Sequence, residues 1–328
     1  MRDIVFAGNL IVDHIKCIEA LPPRGELAKI LDVYRSTGGC VCNTGIDLAI
    51  LDPELAIGAV GVVGRDADGD MVLETLTRHG IDVSQVLRRS VTSFTDVLAE
   101  RSTGSRTFVQ FGGACAEFDI DDVPLDKLDC KLIHIGYVLL MERLDSPDAE
   151  YGTRLARLLH LLHQRGIETS VDMVSEDSER FLQVVPPALK YLDYLTVNEI
   201  EAGKTAGLPL RERSGCLLRE NMRPALKKLL DMGVGKRVII HCPEGAFGMD
   251  RQGHDAWEAA KPLPDGYIKG TVGAGDAFCA GVLLATLRGL PLRETLVYGH
   301  AAARVSLRAV SASGGMCHMA DALAEYGA

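Results

Sequence analysis

Gly270-Thr271-Val272-Gly273-Ala274-Gly275-Asp276-Ala277-Phe278 places a carboxylate where a glycine loop turns into a helix. The apolar run that follows, Cys279 to Ala285, reads as a buried helix beginning near Gly275. The first backbone N–H groups of a helix have no partner inside it and carry partial positive charge, so they suit an anion. Gly273 and Gly275 let the backbone approach that anion without a Cβ in the way. Asp276 then lies in the first turn, beside the anion, where it can take a proton from an attacking hydroxyl. The bland alternative is a Gly-rich turn with Asp as a helix-start residue. Two better-known phosphate loops are excluded. No GxxxxGK[ST] string occurs, and Phe278 stands where a dinucleotide fingerprint needs its third glycine. The run also lies late in the chain, outside any first βαβ unit.

The 328 residues are 47% hydrophobic, 24% charged and 5% aromatic, an ordinary composition for one large or two modest cores. Net charge is −10 and no Lys/Arg block occurs, which argues against nucleic acid as a partner. An anionic substrate must therefore be held by local groups. The nine cysteines are scattered without a Cys-x-x-Cys pair. That pattern reads as reduced, cytoplasmic usage, with neither a disulfide frame nor a zinc site. His160 and His163 lack an acidic or cysteine companion in register and are not read as metal ligands. No signal peptide or 18-residue apolar run is visible, so no membrane association is expected.

Strand-like and helix-like runs alternate along the chain. Strands are expected over Asp3–Gly8, Leu55–Val60, Lys131–Ile135, Ile167–Asp172, Tyr194–Val197 and Arg237–His241. Helices are expected over Asn43–Leu51, Asp68–His79, Pro147–Gln164, Gly275–Arg288 and Leu292–Leu307. This alternation implies an α/β fold with a parallel sheet covered on both faces. Two segments break the rhythm, roughly 14–35 and 92–112. The second holds a hairpin signal, with alternation in Phe94–Arg101 and Arg106–Phe111 around Ser102-Thr103-Gly104-Ser105. Together they suggest a small separate sheet, either a lid over the site or a surface flap. No linker or internal repeat divides the chain, which reads as a single domain over 1–328.

Other constellations are individually weak. Gly38-Gly39-Cys40-Val41-Cys42-Asn43 precedes a helix; Asn43 offers a donor and an acceptor there, or acts only as an N-cap. Asp13 follows the first strand and can accept from hydroxyls, or be a solvated turn residue. Gly61-x-x-Gly64-x-Asp66-x-x-Gly69 opens a helix and can be only a tight turn. Asn198-Glu199-Ile200-Glu201 follows a strand at its carboxyl end, where open α/β sheets bind ligands. Its carboxylates suit magnesium through water, or simply match the helix dipole.

Together, and in this order, these motifs resemble the PfkB/ribokinase family of carbohydrate kinases over nearly the whole chain. The resemblance implies a ribokinase-like three-layer αβα core with a β-sheet lid, and ATP- and Mg2+-dependent phosphorylation of a primary hydroxyl. It implies Asp276 as catalytic base and Gly273, Ala274 and Gly275 as the anion hole. Asp13, Gly39 and Asn43 match sugar-contacting positions. Asn198 and Glu201 match the motif linked to magnesium and phosphate, with Glu201 on the metal side. Thr271, Gly245 and His300 fall at nucleotide-side positions. Three departures are visible. Gly270 replaces the Asp that usually opens the glycine run, which implies little dependence on potassium. Ile240-His241-Cys242-Pro243-Glu244-Gly245 keeps only the last glycine of the nucleotide-side motif. Cys40 and Cys42 stand where small or polar residues are usual. The substrate reads as a sugar, because Tyr34, Phe94, Phe108 and Phe111 give a limited stacking platform; a nucleoside, or binding without catalysis, is the alternative. An exposed lid edge allows a homodimer through the lid.

Overall fold

A computed structural model describes residues 1–174 and 180–328. The chain runs β1 (Arg2–Gly8), β2 (Ile11–Ile18), β3 (Ile30–Gly38), α1 (Cys40–Leu51), β4 (Ile57–Val63), α2 (Ala67–Arg78), β5 (Asp82–Arg88), β6 (Ser93–Glu100), β7 (Arg106–Phe111), the single-turn α3 (Gly113–Ala116) and β8 (Cys130–Val138). The two-residue strands β9 (Pro147–Asp148) and β10 (Gly152–Thr153) follow, then α4 (Arg154–His163), β11 (Glu168–Met173), α5 (Arg180–Leu189), β12 (Tyr194–Asn198), α6 (Glu199–Ala206) and α7 (Arg219–Asp231). The last third holds β13 (Arg237–Cys242), β14 (Gly245–Asp250), β15 (Asp255–Ala259), α8 (Ala274–Leu287), α9 (Leu292–Ser306) and α10 (Met319–Tyr326).

Ile4-Val5-Phe6-Ala7 is wholly apolar and wholly buried, as a strand covered on both faces must be. Val5 and Ala7 point into the core beneath α4 to α7; Ile4 and Phe6 point into the core beneath α1, α2, α8, α9 and α10. Those two cores make the three layers. The nine-stranded sheet has the order β15-β14-β13-β12-β11-β8-β1-β4-β5. From β13 to β5 every pairing is parallel, but β14 and β15 pair antiparallel at the edge. The sheet is therefore mixed, where alternation had implied a parallel one. β4 and β5 continue on one side of β1 and β8 on the other, so the sheet's direction of growth reverses at β1/β8. The ends of those strands flank a crevice where open α/β sheets take their ligands.

The expected lid is a four-stranded sheet, β3-β2-β6-β7. It is longer than the segments 14–35 and 92–112 at its first part, beginning at Ile11 and reaching Gly38. β2 leaves β1 after only Asn9 and Leu10, so the lid is hung directly from the crevice. The Gly61–Gly69 series closes the lid's other hinge. Asp66 caps α2 by accepting from Gly69 N at 2.8 Å, and also takes Thr92 N at 2.8 Å, just before β6. That series is a cap and a tie, not a ligand loop.

The helix expected from Pro147 starts only at Arg154. Gly152 has φ 88°, outside the helical region, and Thr153 caps the helix through Ala156 N at 3.1 Å. Likewise α1 starts at Cys40, so Asn43 sits inside the first turn and is not an N-cap. Among the described residues no helix is long and apolar enough to cross a membrane, and all nine cysteines are free.

Candidate active site

α8 begins with no side-chain cap, because its N-cap is Gly273 in the left-handed region (φ 78°). A Cβ there would lie 2.6 Å from Ala312 Cβ, so only glycine fits. Ala274 N turns back to Thr271 O at 3.3 Å, which withdraws that N–H from the expected anion hole. At Gly275 an added Cβ would meet only His241, at 3.7 Å. Nothing in the protein's own packing demands glycine at that position; the empty volume faces the cavity.

Asp276 lies in the first turn of α8. Its Oδ1 accepts from Tyr137 Oη at 2.7 Å and Thr44 Oγ1 at 3.2 Å, and its Oδ2 from Asn43 Nδ2 at 3.1 Å. Burial raises its pKa above the ordinary value, and the three donors oppose that rise. The result is a carboxylate with its orientation fixed and more basicity than an exposed one.

Two cavities lie near this carboxylate, which lines the smaller of them. One, of about 460 Å³, lies under the lid and is lined by Asp13, Tyr34, Asn43, Arg106, Phe108 and the loop at Val310–Ala312. The other, of about 160 Å³, holds Asp276 with Gly273, Gly275, Asn198, Glu201 and His241. Asn43 joins them, lining the first while donating to Asp276 in the second. The structure thus brings Asp13 and Asn43 together on the lid side, and Asp276, the glycines, Asn198 and Glu201 together on the other. Burial pushes the Asp13 pKa up to about 6, against the opposing charge of Arg106.

Asn198 and Glu201 form a reciprocal cap on α6. Asn198 Oδ1 accepts from Ile200 N and Glu201 N at 2.9 Å; Glu201 accepts from Asn198 N at 3.0 Å and Asn198 Nδ2 at 2.7 Å. The cap uses one hydrogen bond on each Glu201 oxygen and leaves a lone pair on each for a metal or its water. Asp172 lines the same cavity, and its pKa is raised well above the usual range by burial and then by the charges of Asp276 and Glu201. Carboxylates that disfavour one another's ionisation around a small cavity fit a divalent cation there.

Other expected positions have internal explanations. Gly39, with φ 85°, is glycine because a Cβ would lie 2.5 Å from Asn9 O; it shapes the crevice from behind and lines neither cavity. A Cβ on Gly245 would lie 2.1 Å from Trp257. His300 is buried with Nε2 3.1 Å from Glu258 O and its ring edge on Phe278, so it does not present its polar edge to either cavity. Thr271 is exposed just before the glycine turn. Gly270 packs on the Ala309–Val310 backbone, where a Cβ would lie 2.8 Å from Ala309 O. His160 packs between Tyr151 and Tyr191, and His163 meets Asp193 at 2.9 Å, as structural histidines.

Sequence reasoning missed Tyr137, Thr44, Asp172, His241 and Arg106. Tyr137 and Asp172 each end a strand at the crevice, and that placement was the available signal. Thr44 follows Asn43 directly. His241 is held neutral by burial, with its pKa lowered to about 4, and stacks on Phe278 beside Gly275.

A model of the pfkB family of carbohydrate kinases matches residues 1–317. The chain is 26% identical over 325 residues to a 5-dehydro-2-deoxygluconokinase of Clostridium perfringens, covering 95% of this chain and 88% of that one. It is similar in fold to Thermotoga maritima ribokinase, with a TM-score of 0.80 at 19% identity and 99% of each chain covered. Arabidopsis thaliana ribokinase, solved with ribose and ATP, superposes with a TM-score of 0.76 at 20% identity, covering 99% of this chain and 98% of that one.

Two predictions follow from this geometry. Gly273→Ala forces a left-handed φ on a Cβ with no room, so it is expected to lose about 1–3 kcal/mol of stability. Gly275→Ala is expected to melt at or above wild type, since alanine is favoured in a helix by about 0.5–1 kcal/mol, yet to lose most turnover. Thermal melts with parallel kinase assays check the pair; an active Gly275→Ala enzyme refutes the reading of that space. With Asp13 as the sugar-binding carboxylate that the resemblance implies, KM for the sugar is expected to rise as pH falls through about 6, while Asp13→Asn shows no such rise. The stability sign is opposite. The folded state holds the Asp13 proton more tightly than the unfolded chain, so this group's contribution is present below 3.8 and lost as pH rises to about 6. Asp13→Asn should therefore melt higher than wild type at pH 7.

Proposed function

The chain belongs to the pfkB family of carbohydrate kinases, and from that premise we propose that Asp276 is the general base that activates a primary hydroxyl of a sugar for attack on the terminal phosphoryl group of ATP. The observation that carries this reading is the position of Asp276, held by three donors where the lid-side cavity opens onto the N-terminus of α8. A sugar in the larger cavity is fixed by Asp13 and Asn43, with its reacting oxygen directed at Asp276. The proton passes to the Asp276 carboxylate as the oxygen attacks. The Gly275 and Asp276 N–H groups, unpaired by their place in the first helical turn, face the charge on the transferred group. Glu201, with Asn198 bracing it, would hold a magnesium ion through water, and the ion would supply positive charge against the ATP phosphates. The lid covers the larger cavity and excludes water.

Of the four lid aromatics only Tyr34 and Phe108 line that cavity. Phe94 stacks with Phe111 at 5.2 Å and with His14 at 4.9 Å on the sheet's other face. That favours a sugar over a nucleoside, whose base needs a stacking face. Arg106 also lines the cavity, where its charge acts on the Asp13 carboxylate. A guanidinium facing the substrate space favours a sugar bearing a carboxylate, as the name of the Clostridium relative also suggests. The lid's edge strands carry exposed Val33 and Val109, which supports a homodimer through the lid; light scattering reads it.

Asp276→Asn is expected to keep the fold and ATP binding while losing roughly 10²–10⁴-fold in kcat. Near-normal turnover of the purified variant would rule out Asp276 as the base. Over a panel of neutral sugars, sugar acids and nucleosides, sugar acids should give the highest kcat/KM. Arg106→Ala should lower it for them by roughly 10–150-fold, the effect of a charged hydrogen bond of about 1.5–3 kcal/mol, and change neutral sugars little. Equal losses for both substrate classes would show that Arg106 only shapes the lid. Turnover is expected to differ less than tenfold between potassium and a bulky organic cation at equal ionic strength, since Gly270 offers no carboxylate. A larger activation would direct attention to Asp47, a fully buried carboxylate beside Ser313.

A further inference from the structure

Behind the smaller cavity four ionisable side chains from four elements converge. Cys40 opens α1, His134 lies on β8 two residues before Gly136, Asp172 lies near the end of β11, and Cys279 lies on α8 one turn after Asp276. One ligand atom each of Cys40, His134 and Asp172 lie within 4.8 Å of one another. Cys279 Sγ is 3.9 Å from His134 Nε2. Cys40 and His134 are fully buried and Cys279 nearly so. His134 Nδ1 lies 3.0 Å from Ser170 Oγ. With the Nδ1–H donated there, Nε2 presents its lone pair to the sulfurs. A neighbour that fixes the tautomer and turns the other nitrogen inward is the usual support of a metal-binding histidine.

We propose that Cys40, His134, Asp172 and Cys279 bind one thiophilic divalent cation of the zinc class. Two thiolates, an imidazole and a carboxylate form a borderline-soft, four-ligand set, which favours zinc over magnesium. The oxygen-only pair Asn198 and Glu201, lining the same cavity, favours the reverse. A route in exists, because Asp172 and Cys279 line the cavity that also holds Asp276, whereas Cys40 and His134 lie behind them. Small side-chain rotations bring the ligand atoms to bonding distance. Binding takes the thiol protons off Cys40 and Cys279, and the carboxyl proton off Asp172 where it is held, and releases them to solvent; two thiolates and a carboxylate around a divalent cation leave the site with one net negative charge. The sequence hid this site. Its ligands are 38 to 107 residues apart in order, so no local spacing betrays them.

The site stands independently of the phosphotransfer reading, and its test measures binding. The metal-free protein is titrated with zinc against a chromophoric chelator, with magnesium present throughout. A parallel titration with cobalt is followed by absorption. Wild type is expected to take up one equivalent of zinc that magnesium does not displace, and to show a thiolate-to-cobalt charge-transfer band. The double variant Cys40→Ala, Cys279→Ala should lose both, while its circular dichroism and melt show that it folds. His134→Gln serves if the double variant does not fold. Ser170→Ala should bind zinc about 10–100-fold more weakly, since it only orients His134. The proposal is overturned if wild type binds zinc no more tightly than the folded variants, or if cobalt reports oxygen ligands alone.

Discussion

The Asp276 carboxylate cannot be buried at this junction unless donors reach it from elsewhere in the fold. Tyr137 from β8 and the Asn43–Thr44 pair from α1 supply them. This one cluster of hydrogen bonds therefore ties together the first, middle and last parts of the chain. It also sets the order of construction. Tyr137 is placed by Asn9, whose side chain accepts from Tyr137 N and whose main-chain O accepts from Val41 N at 3.3 Å. Asn9 is fully buried at the end of β1, so the reversal of the sheet at β1/β8 and the start of α1 are fixed by the same residue. The carboxylate is thus held by a frame that is rigid for structural reasons. That rigidity is what a base needs if its orientation is not to be reset at each turnover.

Charge explains the division of labour between the two cavities. A chain with a net charge of −10 repels anions at long range, and screening leaves only close groups to act. The groups that can favour an anion are the uncapped start of α8 on one side and Arg106 on the other. The acidic groups Asp172, Glu201 and Asp276 crowd the space between helix and sheet. Burial, and after it the charges of Asp276 and Glu201, raise the pKa of Asp172 well above the usual range. The lid contributes shape and Asp13. Keeping Asp13 half-buried costs stability at neutral pH, because burial disfavours its charged form.

What the sequence disclosed follows the physics of each element. β1, β8, β12 and β13 are buried on both faces, so their apolar runs stand out, and the expected bounds fall within a few residues. β5 and β15 are the sheet's edge strands and β14 lies next to the edge; their polar or glycine-rich residues leave no periodicity to mark them. α5 carries Pro186 and Pro187 inside the helix, which mask it. The Gly273–Asp276 run was legible because a glycine turn before an apolar helix has few other uses. The partners of Asp276 were not, apart from Asn43, because they come together only when separate strand ends meet. The glycines differ in what surrounds them. Gly39, Gly245, Gly270 and Gly273 each answer to a close approach within the protein, whereas Gly275 faces open space.

The packing at Gly270 has a bearing on how this chain can change. Its Cα is pressed onto the Ala309–Val310 backbone, so no side chain at position 270 is compatible with that loop as it stands. Any drift towards an acidic residue there meets a steric barrier before it meets an electrostatic benefit. Position 270 and the 309–315 loop are therefore one unit of variation, in which neither half is free to move first. A side chain at position 270 therefore needs the Ala309–Val310 backbone to move with it, so a substitution there is a change of two segments at once.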